Sequence, residues 1–241
     1  MRRSNFVLGI LILAAGCSTT TSSSPAAVTP TAARSVDTAT PAAASGPAAF
    51  EDAGSGPLRA GTYSLAYASI AGRAEYPTLS VQFTVPSGWE KVGIEGILWG
   101  TGARLGFAVP TNVFADPCDP EQGELDPPVG PTIDELTTAL FELPGWEPGP
   151  FEWDQYLGFM GNHVTLTAPA DMSECADPAR IMRAPGWPGF IEAGGEGGQL
   201  EFWILNVAGT RLVIYTSTDA EASERVRAEL ASIFDSIRIT S

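Results

Sequence analysis

The chain reads as an α+β protein, a mainly antiparallel β-sheet with two helices packed on one face. Three observations carry that reading. First, 26 glycines and 20 prolines among 241 residues cut the sequence into short elements. Second, most of those elements alternate apolar and polar residues, the period of a half-buried strand. Third, only two segments repeat their apolar residues every three to four positions, as a helix with one buried side does.

Taken in chain order, Thr62-Tyr63-Ser64-Leu65-Ala66-Tyr67 alternates. Leu79-Ser80-Val81-Gln82-Phe83-Thr84-Val85 does so more clearly and stops at Pro86-Ser87-Gly88. Residues 94–99 and 105–114 are further strands. At Pro131-Thr132-Ile133-Asp134-Glu135-Leu136, Thr132 and Glu135 have capping-box spacing, and Ile133, Leu136, Leu140 and Leu143 form one helical face. Residues 164–166 read as a strand. Residues 200–207 and 211–217 flank Ala208-Gly209, a hairpin signal. Thr218 and Glu221 offer a second capping box. Val226, Leu230, Ile233, Phe234 and Ile237 then line one side of a helix, and residues 236–239 return to alternation as a closing strand. Antiparallel runs with two helices belong to the α+β class.

The amino terminus sets the domain layout. Arg2 and Arg3 precede an apolar run of about ten residues, too short to span a bilayer and suited to a secretory signal. Leu13-Ala14-Ala15-Gly16-Cys17 closes it and resembles the lipobox of bacterial lipoproteins, with Ala14 where Leu is more usual. Residues 1–16 are therefore expected to be a signal peptide and Cys17 the lipidated first residue. Residues 17–57 are Ser, Thr, Pro and Ala with almost no large apolar side chains. Such a segment cannot bury enough area to offset its backbone entropy and is expected to be a disordered tether. A flexible stretch of that length reaches roughly 35 Å root-mean-square, and its Ser/Thr/Pro content suits O-glycosylation. Residues 58–241 form a single domain long enough for a substantial core.

Charge narrows the partners. Losing residues 1–16 removes two of the 13 basic residues and none of the 28 acidic ones, leaving 11 against 28, a formal −17. An acidic surface repels nucleic acid and anionic headgroups, so the lipid, which places two or three chains in the bilayer, must hold the protein at the membrane. The one lysine is Lys91. Scarce Lys beside abundant Ala, Gly and Arg points to a GC-rich genome of actinobacterial type.

With Cys17 taken by lipid, Cys118 and Cys175 remain as an even pair in an oxidising compartment, which favours a structural disulfide. A loop of that size stabilises the fold by roughly 4 kcal/mol on chain-entropy reasoning. Redox chemistry wants closer spacing and an activated thiolate, whereas Asp116, Asp119, Glu174 and Asp177 would raise a thiol pKa. Zinc wants further Cys or His ligands, and there is one His. Asp116, Asp119, Glu121, Glu124 and Asp126 surround Gly123 and supply the hard oxygens that calcium takes. Their spacing matches no standard calcium loop, and a solvated acidic loop pinned by the disulfide is the favoured reading.

His163, the sole imidazole, is the candidate general base. No nucleophile elbow accompanies it, so a surface or edge-strand histidine is favoured. Paired carboxylates for glycoside chemistry have no sequence signature of their own. The aromatics are more suggestive. Gly-Trp recurs at Trp89, Trp146 and Trp187, and Phe151, Trp153, Tyr156 and Phe159 follow Trp146. Indoles in Pro/Gly turns either pack against the sheet, which is favoured, or build a ligand platform at Trp146, Trp153 and Trp187.

The order Val85-Pro86-Ser87-Gly88-Trp89, Val113-Phe114-Ala115-Asp116-Pro117-Cys118, Gly130-Pro131-Thr132-Ile133-Asp134-Glu135-Leu136, Cys175 and Trp203-Ile204-Leu205-Asn206-Val207-Ala208-Gly209 resembles a recurrent secreted domain of uncharacterised, chiefly actinobacterial proteins. The closing hairpin, helix and strand also resemble the end of PsbP-like folds. One departure is Gln155-Tyr156-Leu157-Gly158-Phe159, where the pattern has Gly in place of Gln155. The resemblance implies a non-enzymatic envelope domain and carries no functional residues. The sequence thus leads to a lipid-anchored extracytoplasmic binding module without a cofactor, whose partner is an envelope protein, a glycan or an apolar ligand. The alternatives are a cell-wall hydrolase using carboxylates or His163, and a calcium-dependent adhesion module on residues 116–126.

Overall fold

Alternation along two nine-residue strands organises the molecule. The computed structural model describes residues 46–66, 80–92, 97–100, 102–176, 178–184, 190–192 and 194–240. The strands are β1 (Ala48–Ala49), β2 (Gly56–Pro57), β3 (Gly61–Ala66), β4 (Ser80–Val85), β5 (Glu90–Val92), β6 (Ile97–Gly100), β7 (Ala103–Ala108), β8 (Asn112–Val113), β9 (Glu147–Pro148), β10 (Glu152–Tyr156), β11 (Phe159–Thr167), β12 (Arg180–Arg183), β13 (Phe190–Glu192), β14 (Gln199–Val207), β15 (Thr210–Thr218) and β16 (Arg238–Thr240). The α-helices are α1 (Ile133–Phe141) and α2 (Glu224–Asp235). A nine-stranded sheet runs β10-β11-β14-β15-β7-β6-β5-β2, with β9 also paired to β11. A four-stranded sheet runs β1-β3-β4-β16, and a three-stranded one β13-β12-β8. Apart from the parallel β1–β3 pair, neighbouring strands are antiparallel.

The α+β class is as expected, but the helices do not share a face. Successive side chains of a strand point to opposite sides. Leu200, Phe202, Ile204, Val213 and Tyr215 pack with Leu136 and Leu140 of α1. Trp203, Leu205, Leu212 and Ile214 pack with Val226, Leu230 and Ile233 of α2, and with Phe83 of the four-stranded sheet. Each helix therefore covers one side of the large sheet. β14 and β15 are apolar on both sides, and a sheet so built must be covered twice.

Local chemistry explains the element ends. Thr132 caps α1 in a reciprocal box with Glu135. The Thr132 hydrogen bonds hold the Glu135 carboxyl below its ordinary value. The cap of α2 is Ser223 rather than Thr218, which stays on β15. The 105–114 segment divides into β7 and β8 around Pro110, as a residue without an amide donor requires. Cys118 and Cys175 form the expected disulfide.

The domain begins before Leu58. Phe50 is fully buried against Tyr63 and Phe83, at centroid distances of 5.8 and 5.3 Å. The buried Lys91 ammonium donates to the carbonyls of Phe50 and Ala53, each at 2.7 Å, and lies 4.7 Å from the Phe50 ring. Residues 46–57 are thus part of the fold, which corrects the expected end of the tether at residue 57. Residues 1–45, including Cys17, lie outside the described residues.

Two hairpins close on two-residue turns with positive φ, Leu157-Gly158 (54° and 91°) and Ala208-Gly209 (52° and 84°). Both backbones suit the type I′ turn that matches strand twist. A non-glycine residue there costs about 1–2 kcal/mol, less for asparagine. Ala208 is exposed and its side chain holds no core contact. Ala208→Asn is expected to stabilise the protein by about 1 kcal/mol, read as a melting temperature higher by about 2–4 °C. A lower melting temperature would show that the alanine is preferred there.

Candidate functional site

β11 places His163 on the α2 side of the large sheet, between β10 and β14. Its register partners are Glu152 and Trp203. His163 is therefore neither at the surface nor on an edge strand: its side chain is only 17% exposed and pairs lie on both sides. Its Nε2 is 3.0 Å from a Glu201 carboxylate oxygen, and its Nδ1 is 3.7 Å from one of Glu152. The imidazole stacks on Trp203 (4.7 Å, 12°), and Trp203 meets Phe234 of α2 at 4.0 Å. Tyr156 flanks the imidazole at 6.1 Å. Burial first, then the charges of Glu152 and Asp154, raises the Tyr156 hydroxyl above the ordinary phenol value.

Beside this ladder lies an open groove of about 340 Å³ between β14, β15 and α2, lined by Glu201, Trp203, Thr216, Thr218, Arg227 and Phe234 among others. Trp203 stacks on His163, meets Phe234 and is only 9% exposed, so it offers little indole surface to a sugar ring. Arg227 is spent on the loop before α2, donating to the carbonyls of Asp219, Ala220 and Ala222 and to the Thr218 hydroxyl. A general base needs a nitrogen aimed at substrate. Here both ring nitrogens face carboxylates, so the arrangement locks three strands together better than it performs proton transfer.

The five acids of the loop do not converge. Asp116 accepts the amides of Cys118 and Asp119, Asp119 accepts from Glu121 and Gln122, and Glu124 pairs with Arg183 at 2.6 Å. Among the described residues no group of three or more His, Cys, Asp or Glu side chains is placed to hold a metal ion.

The tryptophans separate. Trp146 is 5% exposed, inside the cluster beneath α1, so it is core and not a ligand platform. Trp89 is buried too, its indole N–H donating to Glu229 of α2 at 3.1 Å. Trp187 lies outside the described residues. Trp153 is 61% exposed, with Phe151 at 52% and Met160 at 40%. Of the four large apolar side chains exposed among the described residues, these are three. Trp153 and Met160 point to the α1 side, because Trp153 pairs with Asn162 and Asn162 donates to Asp134 and Thr137 of α1. Phe151 meets Phe141 of α1 at 6.2 Å. The patch runs along β10, which ends the nine-stranded sheet. Clustered exposed apolar side chains of this kind are a candidate interaction surface, where single ones would not be. Phe151 and Met160 were missed as site residues, because only tertiary structure shows that they stay uncovered.

No family model matches the chain, and no curated protein matches it. The resemblance to a secreted actinobacterial domain thus has no family match behind it. Among solved structures, the chain is similar to cyanobacterial PsbP (CyanoP) from Synechocystis sp. PCC 6803, in its solution structure. The TM-score is 0.36 and the identity 10%, over 76% of this chain and 94% of that one. No residue role is carried across.

Burial predicts opposite consequences for two neighbouring indoles. Trp146→Ala is expected to cost about 3–5 kcal/mol, and Trp153→Ala less than about 0.5 kcal/mol, in denaturant unfolding. Equal costs would remove the distinction between core and surface.

Proposed function

We propose that this chain is a lipid-anchored, extracytoplasmic docking module that engages a protein partner and catalyses no reaction. The observation that carries the reading is the exposed group formed by Trp153 on the edge strand β10, Phe151 just before it and Met160 on the neighbouring β11. Three further points support it. The apolar run ending at Cys17 has the order of a lipoprotein signal. The Cys118–Cys175 disulfide suits an oxidising compartment outside the cytoplasm. The acidic surface leaves nucleic acid and anionic lipid as poor partners. Tethered through residues 17–45, the folded part would present β10 to other envelope proteins.

In cells fed an alkyne palmitate, label is expected on the wild type and not on Cys17→Ala. A photo-crosslinking side chain at position 153 is expected to give a discrete protein adduct, and one at Val92, exposed at another site, to give none. Label independent of Cys17 removes the anchor, and identical adducts from both positions remove the docking surface.

One observation favours a second reading, wall hydrolysis, namely the 3.0 Å contact between His163 and Glu201 beside the groove. The expected result is no turnover of cell-wall fragments by the full chain. Turnover that His163→Gln abolishes would establish the hydrolase instead.

A further inference from the structure

We infer that β10 takes its partner by strand addition, and that the partner is an extended segment alternating basic and apolar side chains. This rests on the docking reading above and specifies its chemistry.

The backbone supplies the first part. The turn at Leu157-Gly158 closes on the Tyr156–Phe159 pair, and the closing pair of such a turn is hydrogen-bonded. Pairing then alternates along the hairpin. Asp154 and Glu152 therefore bond to β11, while Trp153 and Gln155 turn their amide and carbonyl groups outward. The Gln155 amide, bonded at 2.7 Å to the Asp154 carboxylate, fits that direction. No strand among the described residues lies beyond β10. An uncovered edge of this kind accepts an extended peptide, with alternate side chains setting specificity.

The side chains supply the second part. On the α2 side the edge carries the carboxylates of Glu152 and Asp154, both exposed. On the α1 side it carries Trp153 next to Phe151 and Met160. An incoming strand therefore meets charge on one face and aromatic surface on the other, with period two. Cations opposite the acids and apolar groups opposite the aromatics complement it.

A second copy of this chain fits poorly. Antiparallel pairing of β10 with itself sets Glu152 and Asp154 against one another, or Asp154 against Asp154, in a chain of formal charge −15. Like charges directly opposite destabilise a pair. The chain's own residues 17–45 fit no better, being Pro-punctuated with Arg34 as their only cation.

The test uses the full chain in detergent and a labelled seven-residue peptide alternating Arg and Val, read by fluorescence anisotropy. The expected affinity is at least about tenfold higher than for the Glu/Val sibling, a gap of about 1.4 kcal/mol. The double variant Glu152→Arg, Asp154→Arg is expected to reverse that order. Trp153→Pro, which removes an outward amide and leaves the β11 pairing intact, is expected to lose more affinity than Trp153→Ala. Melting temperatures check that each variant is folded; should Trp153→Pro unfold, the charge reversal decides. Equal binding of both peptides, an unreversed order, or a β10-dependent dimer in sedimentation overturns the proposal. Adducts at position 153 that persist while the peptides bind equally overturn strand addition alone. Absence of those adducts removes the docking reading itself.

Discussion

Two-sided burial of β14 and β15 is the constraint on which the rest of the structure depends. These strands pair along their full length, from Gln199↔Thr218 to Val207↔Thr210. Leu200, Phe202, Ile204 and Val213 face one way, and Trp203, Leu205, Leu212 and Ile214 the other. At about 25 cal/mol per Å² of apolar surface, neither side can be left wet. One side receives α1 and the disulfide-linked segments, the other α2 and the four-stranded sheet. The amino-terminal arm completes the second cover with Phe50. That arm is held by Lys91, the one lysine of the chain, whose ammonium is buried yet matched by carbonyls. A buried charge is tolerated when its donors are satisfied in this way.

What could be read from the sequence follows from what is local. Strand alternation, the Thr132 capping box, the Ala208-Gly209 hairpin and the pairing of Cys118 with Cys175 each depend on a few residues and their immediate chemistry. The side of the sheet on which a helix lands does not. The apolar stripes of α1 and α2 are equally good on either face, so their opposition is a property of connection and packing. Residues 46–57 escaped notice for a related reason: one phenylalanine in a polar, Gly-rich stretch has no period. The β10–β11 hairpin carries the same X-Gly turn as Ala208-Gly209, but β10 is too polar to show the apolar alternation that marks a strand. Thr218 and Ser223 both offer capping oxygens, and only the length of β15 decides between them.

The site was legible in part. Trp146 and Trp153 stand seven residues apart in the same Gly/Pro-rich context, and composition treats them alike. Depth separates them, because α1 closes over Trp146 and stops at Phe141, short of β10. His163 was legible as a residue and not as a structure. Its two carboxylate neighbours come from strands 11 residues before and 38 residues after it in sequence. Convergence of that kind is spatial, and no spacing rule reports it.

The two ends of the large sheet are finished in opposite ways. At one end β2 is two residues long, contains Pro57 and continues from the arm that Lys91 fastens. Short length and proline are how proteins close an edge to further pairing. At the other end β10 is five residues long and has no proline. It carries the carboxylates of Glu152 and Asp154 on one face and the uncovered Trp153 on the other, with Phe151 just before it. Acids alone would be a sufficient guard against self-pairing. Aromatics alone would be a liability for aggregation. Alternating along β10, the acids would meet like charge in a self-paired edge, and Trp153 between them stays 61% exposed.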